Sequence, residues 1–165
     1  MKYRTIGSDP ATRRPVSVLS LGAMLMGSRT DEATSFAILD RYVEAGGTFI
    51  DTSGNYAFWV NGTRGGESEE LLGRWRRSRG IGAEVVIATK VGARPLAPAA
   101  GFEGAVLEGL SAKVIRESAA RSMSRLGVSR LDLMYAHIDD PSVPLAETVG
   151  AFGELVASGR LACSG

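Results

Sequence analysis

The chain has 165 residues, a formal net charge of +1, and 44% hydrophobic against 22% charged residues. That balance excludes a disordered chain and gives no electrostatic reason to expect nucleic acid or an anionic membrane as partner. A single cysteine, Cys163, excludes an intrachain disulfide framework and suits a reducing, cytoplasmic setting, and no apolar run is long enough to span a bilayer.

The first element in chain order is a strand over 16–24, VSVLSLGAM. Arg13-Arg14 ahead of this apolar run loosely resembles a twin-arginine export signal. Pro15 directly after the arginines, and a polar turn GSRTDE that opens a helix rather than a cleavage site, favour the strand. Thr30 is placed to cap the helix that follows, in which Phe36, Leu39 and Val43 share a face and Gly46 lies beyond the end. TFIDTS (48–53) is the second strand. A helix over 67–80 carries acids in its first turn and arginines toward its end. That order suits the helix dipole and makes the arginine run a solvated face rather than a phosphate grip.

VVIATKVG (85–92) is the third strand. Ser111 caps a helix through about Leu126, with Ile115, Ala119, Met123 and Leu126 inward. LDLMYAH (131–137) is the fourth strand. The helix over 144–159 has Pro144 in its first turn and a stripe of Leu145, Val149, Phe152 and Val156 expected to be buried. RLACSG begins a fifth strand. Mostly apolar strands alternating with helices predict an α/β fold, a parallel sheet covered by helices. The loops over 54–66 and 92–110 both follow strands and are long enough to be functional.

Three consecutive strands each deliver one ionisable residue at the carboxyl end: Asp51, Lys90 and His137, the only histidine. Tyr56 lies on the loop just past the second strand. In a parallel sheet those ends share one face, and in a (β/α)8 barrel that face carries the active site. Taken singly, each residue has an ordinary role as a strand end, a turn cap or a packed ring. Taken together, they suit proton transfer to a carbonyl oxygen. An unperturbed tyrosine has a pKa near about 10. A neighbouring lysine ammonium is expected to bring it down, an aspartate to brace the lysine, and a histidine to orient the carbonyl. None of these groups donates hydride, so a reduction needs a nicotinamide cofactor. His137 with Asp139 and Asp140 makes a poor metal site, because two adjacent acids on one strand end do not converge readily and no second histidine exists. Ser53 and Ser68 lack a Gly-x-Ser-x-Gly elbow.

These segments resemble the aldo-keto reductases nearly end to end and in the family's order: FIDTSGNY, GGESEELLGRW, IATKVG, the run from Ser111 through RLGVSRLDLMYAHIDD, and PLAETVGAFGELVASGRLACSG. The resemblance implies a (β/α)8 TIM barrel of which residues 1–165 cover roughly the first half. It implies a catalytic tetrad of Asp51, Tyr56, Lys90 and His137, with Tyr56 as general acid in carbonyl reduction and general base in alcohol oxidation. It places Gly22, Ala23, Met24 and Asp51 beside the nicotinamide end of NADPH/NADP+, and a small carbonyl or alcohol as substrate. Family members are usually close to twice as long. Gly165 corresponds to the residue before the family's Ser-Asn pair, so the implied phosphate-gripping loops lie beyond it, and no GxGxxG or GxxxxGK[ST] loop replaces them here. Two expectations follow: an NADP(H)-linked carbonyl reductase, or a non-catalytic remnant or partner-binding barrel similar to the family's potassium-channel β subunits. Open barrel edges would invite self-association. Phe58, Trp59 and Val60 suit either an apolar substrate wall or plain packing.

Overall fold

The computed structural model describes residues 1–7, 10, 12–60 and 62–165. The segment expected as one strand over 16–24 is divided. Strand β1 (Tyr3–Ile6) pairs antiparallel with β2 (Arg14–Ser17), and only after a bend does β3 (Leu21–Gly22) enter the main sheet. The division follows from side-chain bonding. Ser17 Oγ donates to the Leu19 carbonyl and its backbone N–H donates to Thr48 Oγ1, which turns the chain. Arg14 donates to Asp132, 3.1 Å away, and to the Ala83 carbonyl. Arg14 therefore ties the β1–β2 hairpin beneath the amino ends of the parallel strands, as an ion-pair partner.

Strands β3, β4 (Phe49–Asp51), β5 (Val86–Val91), β6 (Leu131–Ala136) and β7 (Leu161–Ser164) form one parallel sheet in sequential order. Helices α1 (Glu32–Glu44), α2 (Glu67–Arg79), α3 (Ala112–Leu126) and α4 (Leu145–Ala157) alternate with them. This is the strand order of the first half of a (β/α)8 barrel. Asp31, rather than Thr30, caps α1, accepting from the Thr34 N–H at 2.8 Å. Ser111 caps α3 as expected, accepting from the Val114 N–H. Two arginines of α2 reach α1, Arg74 pairing with Glu32 and Arg79 with Asp40, while Arg76 donates to the Ile81 and Gly82 carbonyls just past the helix end.

The core lies between sheet and helices, with Leu39, Ile50, Trp75, Ile115 and Leu155 fully buried. One expected stripe is wrong. On α4, Leu145, Val149 and Val156 are exposed, and the buried face is Thr148, Ala151, Phe152 and Leu155. The helix is turned by its neighbours, α3 and β7. Thr148 donates its hydroxyl to the Leu110 carbonyl, and Ala151 is small enough to let the backbone close on the core. Among the described residues no helix is long and apolar enough to cross a membrane.

Candidate active site

The parallel register places the four polar residues at one end of the sheet. Asp51 closes β4 and lies beside Ala88, and Lys90 pairs with Tyr135. His137 follows β6 and extends its ladder by donating its N–H to the Val91 carbonyl. Tyr56 is brought back over the strand ends by a tight turn, in which its N–H donates to the Ser53 carbonyl.

Lys90 uses all three ammonium hydrogens here. Nζ lies 2.7 Å from Asp51 Oδ2, 2.6 Å from Tyr56 Oη and 2.8 Å from the Thr52 carbonyl. Tyr56 in turn donates its hydroxyl to Asp51 Oδ2 at 2.9 Å. The three groups form a closed triangle. The His137 ring stands edge-on to the Tyr56 ring, with centroids 5.9 Å apart. All four residues expected from the sequence are thus gathered at one mouth.

The charges differ from expectation in one respect. The lysine was expected to bring the phenol down, but the net shift of Tyr56 is upward. Burial disfavours the phenolate, and the Asp51 carboxylate that accepts its proton disfavours it further. Burial also lowers Lys90, opposed by its bond to Asp51. Burial, then the Lys90 charge, lowers His137, which favours a neutral imidazole. The site thus holds a protonated phenol and a neutral histidine at neutral pH, the states a proton donor and a carbonyl-orienting group require.

The Gly-x-Ser-Glu stretch at the start of α2 fastens this end of the sheet. Thr52 donates to Ser68 Oγ and Ser68 donates to the Ala23 carbonyl, both at 2.7 Å, joining β3, β4 and α2. Glu69, wholly buried, accepts from Thr89 at 2.6 Å and from Arg125 at 3.0 Å. Arg125 lies beneath the tyrosine loop, against Gly54 and Gly66. Gly66 has φ 101°, and a Cβ there would come within 2.5 Å of the guanidinium. The pairing of Glu69 with Arg125 was not foreseen from the sequence, because the two meet only after the fold brings α2 onto α3. Asn55, buried between Asp51 and Tyr56, also escaped notice, and the buried Ser53 was weighed only as a hydrolase nucleophile.

Among the expected cofactor residues, Gly22 is exposed beside Asp51, and a Cβ on it would enter open space. Met24 is exposed as well. The Ala23 methyl points into the core and only its backbone bonds at the strand end, its N–H donating to the Asp51 carbonyl at 2.8 Å. Bare backbone next to the triangle fits the flat reacting end of a nicotinamide. Asp140 caps a turn, accepting from the Leu110 N–H and from Ser142. Among the described residues no three His, Cys, Asp or Glu side chains are placed to hold a metal.

A 670 Å³ cleft opens between the loops after β4 and β5, lined by residues such as Phe58, Trp59, Val60, Pro95 and Leu96. Phe58 is buried edge-on against Trp59 and Phe102, so it packs, while Trp59 and Val60 are half-buried and face the cleft. None of the four polar residues lines it, so the cleft flanks the triangle and does not contain it.

A parallel α/β sheet with this constellation at its carboxyl end defines a barrel oxidoreductase scaffold, and the comparisons agree. The sequence model described as the aldo/keto reductase family matches residues 18–165, and the chain belongs to that family. It is 37% identical to norsolorinic acid reductase B of Aspergillus parasiticus over 97% of this chain and 41% of that protein. It is 32% identical to an NADP(+) aryl-alcohol dehydrogenase of Phanerodontia chrysosporium, over 88% of this chain and 39% of that one. The holo form of an aldo-keto reductase from Bacillus halodurans superposes with a TM-score of 0.78 at 30% identity, over 99% of this chain and 49% of that one. The chain therefore spans less than half the length of these relatives.

Proposed function

We propose that this chain carries the proton-transfer machinery of an NADP(H)-dependent reductase of aryl aldehydes or ketones. The observation that carries the reading is the Tyr56–Lys90–Asp51 triangle, closed by contacts of 2.6, 2.7 and 2.9 Å, with His137 at its side. A bound nicotinamide supplies the hydride, which none of these side chains can provide. Gly22, Ala23 and Met24 would hold its reacting end along β3, against Asp51. Tyr56 delivers its proton to the carbonyl oxygen as that oxygen gains negative charge. Lys90, 2.6 Å from Oη, stabilises the phenolate left behind. Asp51 keeps the lysine charged and in place, and His137 orients the carbonyl. In alcohol oxidation the same groups run in reverse, with the phenolate as base. NADP(H) and an aryl substrate are supported by the likeness to an NADP(+) aryl-alcohol dehydrogenase, and reduction by the likeness to a norsolorinic acid reductase. The aromatic side chains lining the neighbouring cleft, Phe58 and Trp59, agree with an aryl substrate.

The test is NADPH oxidation with a panel of aryl aldehydes and ketones. Tyr56→Phe is expected to lower kcat by about 10²–10⁴-fold, the usual worth of a general acid, with the fold unchanged by circular dichroism. A folded Tyr56→Phe protein that turns over at the native rate would sink the reading.

A further inference from the structure

The segment over 92–110 is a two-stranded arm that leaves the end of β5. Leu96 donates its N–H to the Val106 carbonyl, Glu108 to Arg94 and Gly109 to Gly92, at 2.9, 2.8 and 3.1 Å, and Pro95 bridges Leu107 antiparallel. Two strands joined this way are marginal by themselves in water, so the direction of the arm depends on what holds its ends. The root is held by the Glu108 side chain, which is 5% exposed. One of its oxygens accepts from the Gly92 N–H, and the other accepts from Arg94, Arg121 and Ser118. Arg121 and Ser118 belong to α3, so this carboxylate ties the arm to the helix layer. The tip is held by Phe102, whose ring centroid lies 4.9 Å from that of Phe58 and 6.1 Å from that of Trp59.

Between root and tip, the run PLAPAA (95–100) forms one wall of the 670 Å³ cleft, and the loop after β4 forms the other. Two prolines stiffen that run and three alanines keep it shallow, so the width of the cleft is set by where the backbone of the arm lies. Leu96, its one larger side chain, is 61% exposed, apolar surface that a ligand would remove from water. The volume is that of a pocket enclosing a sizeable organic ligand, well beyond a single aryl ring.

We propose that Glu108 is a positioning residue that fixes this arm, and that the arm selects carbonyl compounds bearing a multi-ring aryl group. Glu108 acts through Arg94, Arg121 and the Gly92 N–H and does not itself touch the ligand. The proposal rests on the reductase reading for the reaction of that ligand, but not for its binding.

The experiment compares benzaldehyde with pyrene-1-carbaldehyde, one ring against four. In Glu108→Gln the ratio of kcat/KM for the large aldehyde to that for the small one is expected to fall about tenfold, through KM, because a loosened arm has to be ordered each time the large ring system binds. A loss that falls equally on both aldehydes is what a damaged fold or a disturbed Lys90 would give, and it overturns the proposal, as does an unchanged ratio. Should Glu108→Gln not fold, Phe102→Ala frees the tip from a half-exposed position and is expected to lower the same ratio. An unchanged ratio in that variant overturns the proposal too. Binding is read without cofactor or turnover from the quenching of tryptophan fluorescence by pyrene-1-carbaldehyde, since Trp59 lines the cleft and Trp75 is wholly buried. The dissociation constant is expected to rise about tenfold in Glu108→Gln, and equal constants in the native protein and the variant contradict the proposal. Binding that weakens as expected, in a protein that reduces neither aldehyde, would remove the reductase reading and leave the assignment of Glu108 and its arm standing.

Discussion

Glu69–Arg125 and Asp51–Lys90 are two carboxylate–cation pairs at the same end of one sheet, at 3.0 and 2.7 Å. In the first pair the carboxylate is wholly buried and both of its oxygens accept internal bonds, from Thr89 and Arg125. In the second, Asp51 keeps 31% of its side chain exposed, and one oxygen, Oδ2, serves both the lysine and the Tyr56 hydroxyl. The difference lies in the third partner. The buried pair is completed by the Thr89 hydroxyl, enclosed in the core. In the proposed function the other pair reacts, because it is completed by a phenol whose proton can leave toward the mouth.

Mutations should separate the two. The largest expected effect is the loss of turnover in Tyr56→Phe, about 10²–10⁴-fold or roughly 3–5 kcal/mol of transition-state stabilisation. Chemical denaturation should show its stability within about 1 kcal/mol of native. Asp51→Asn should follow the same pattern in the same two assays, because a partly exposed pair is worth only about 1 kcal/mol or less to the fold. Glu69→Ala should reverse it, destabilising by about 3 kcal/mol in a urea melt because Arg125 loses its buried counter-charge. Equal stability losses in Asp51→Asn and Glu69→Ala would erase the distinction. Gly66→Ala should cost about 1–3 kcal/mol, since a side chain at φ 101° is strained and its Cβ meets Arg125.

The smallest effect concerns pH. His137 titrates below the ordinary imidazole range of about 6.5 in the folded protein, through burial and the Lys90 charge. The unfolded chain therefore binds that proton first. The stability it contributes is complete above about pH 6.5 and is lost as pH falls through the folded value. Subtracting the stability profile of His137→Gln from that of the native protein cancels the carboxylates. The difference should decline on acidification, and a rise would contradict the burial of a neutral ring.

How much of this was legible in the sequence follows from distance along the chain. Asp51, Lys90 and His137 were readable because each ends an apolar strand, and a parallel sheet sends such ends to one face. The strand order was readable for the same reason. The Glu69–Arg125 fastening was not, because its halves lie 56 residues apart on different helices and neither stands out alone. The stripe on α4 was misread because periodicity says that a helix has faces but not which one its neighbours will cover. The direction of the Tyr56 shift was misread because the lysine was weighed, while burial of the phenol, first, and the accepting Asp51 carboxylate, second, were not.

The central claim is that Tyr56 and Lys90 act as one proton-donating unit. A double-mutant cycle on NADPH-dependent carbonyl reduction, using Tyr56→Phe, Lys90→Met and the two combined, tests it most directly. Residues that work as a unit give non-additive losses. The expected result is a double variant no slower than the worse single one. Losses that multiply would mean that the lysine and the phenol act independently, and the triangle would then be a structural contact only.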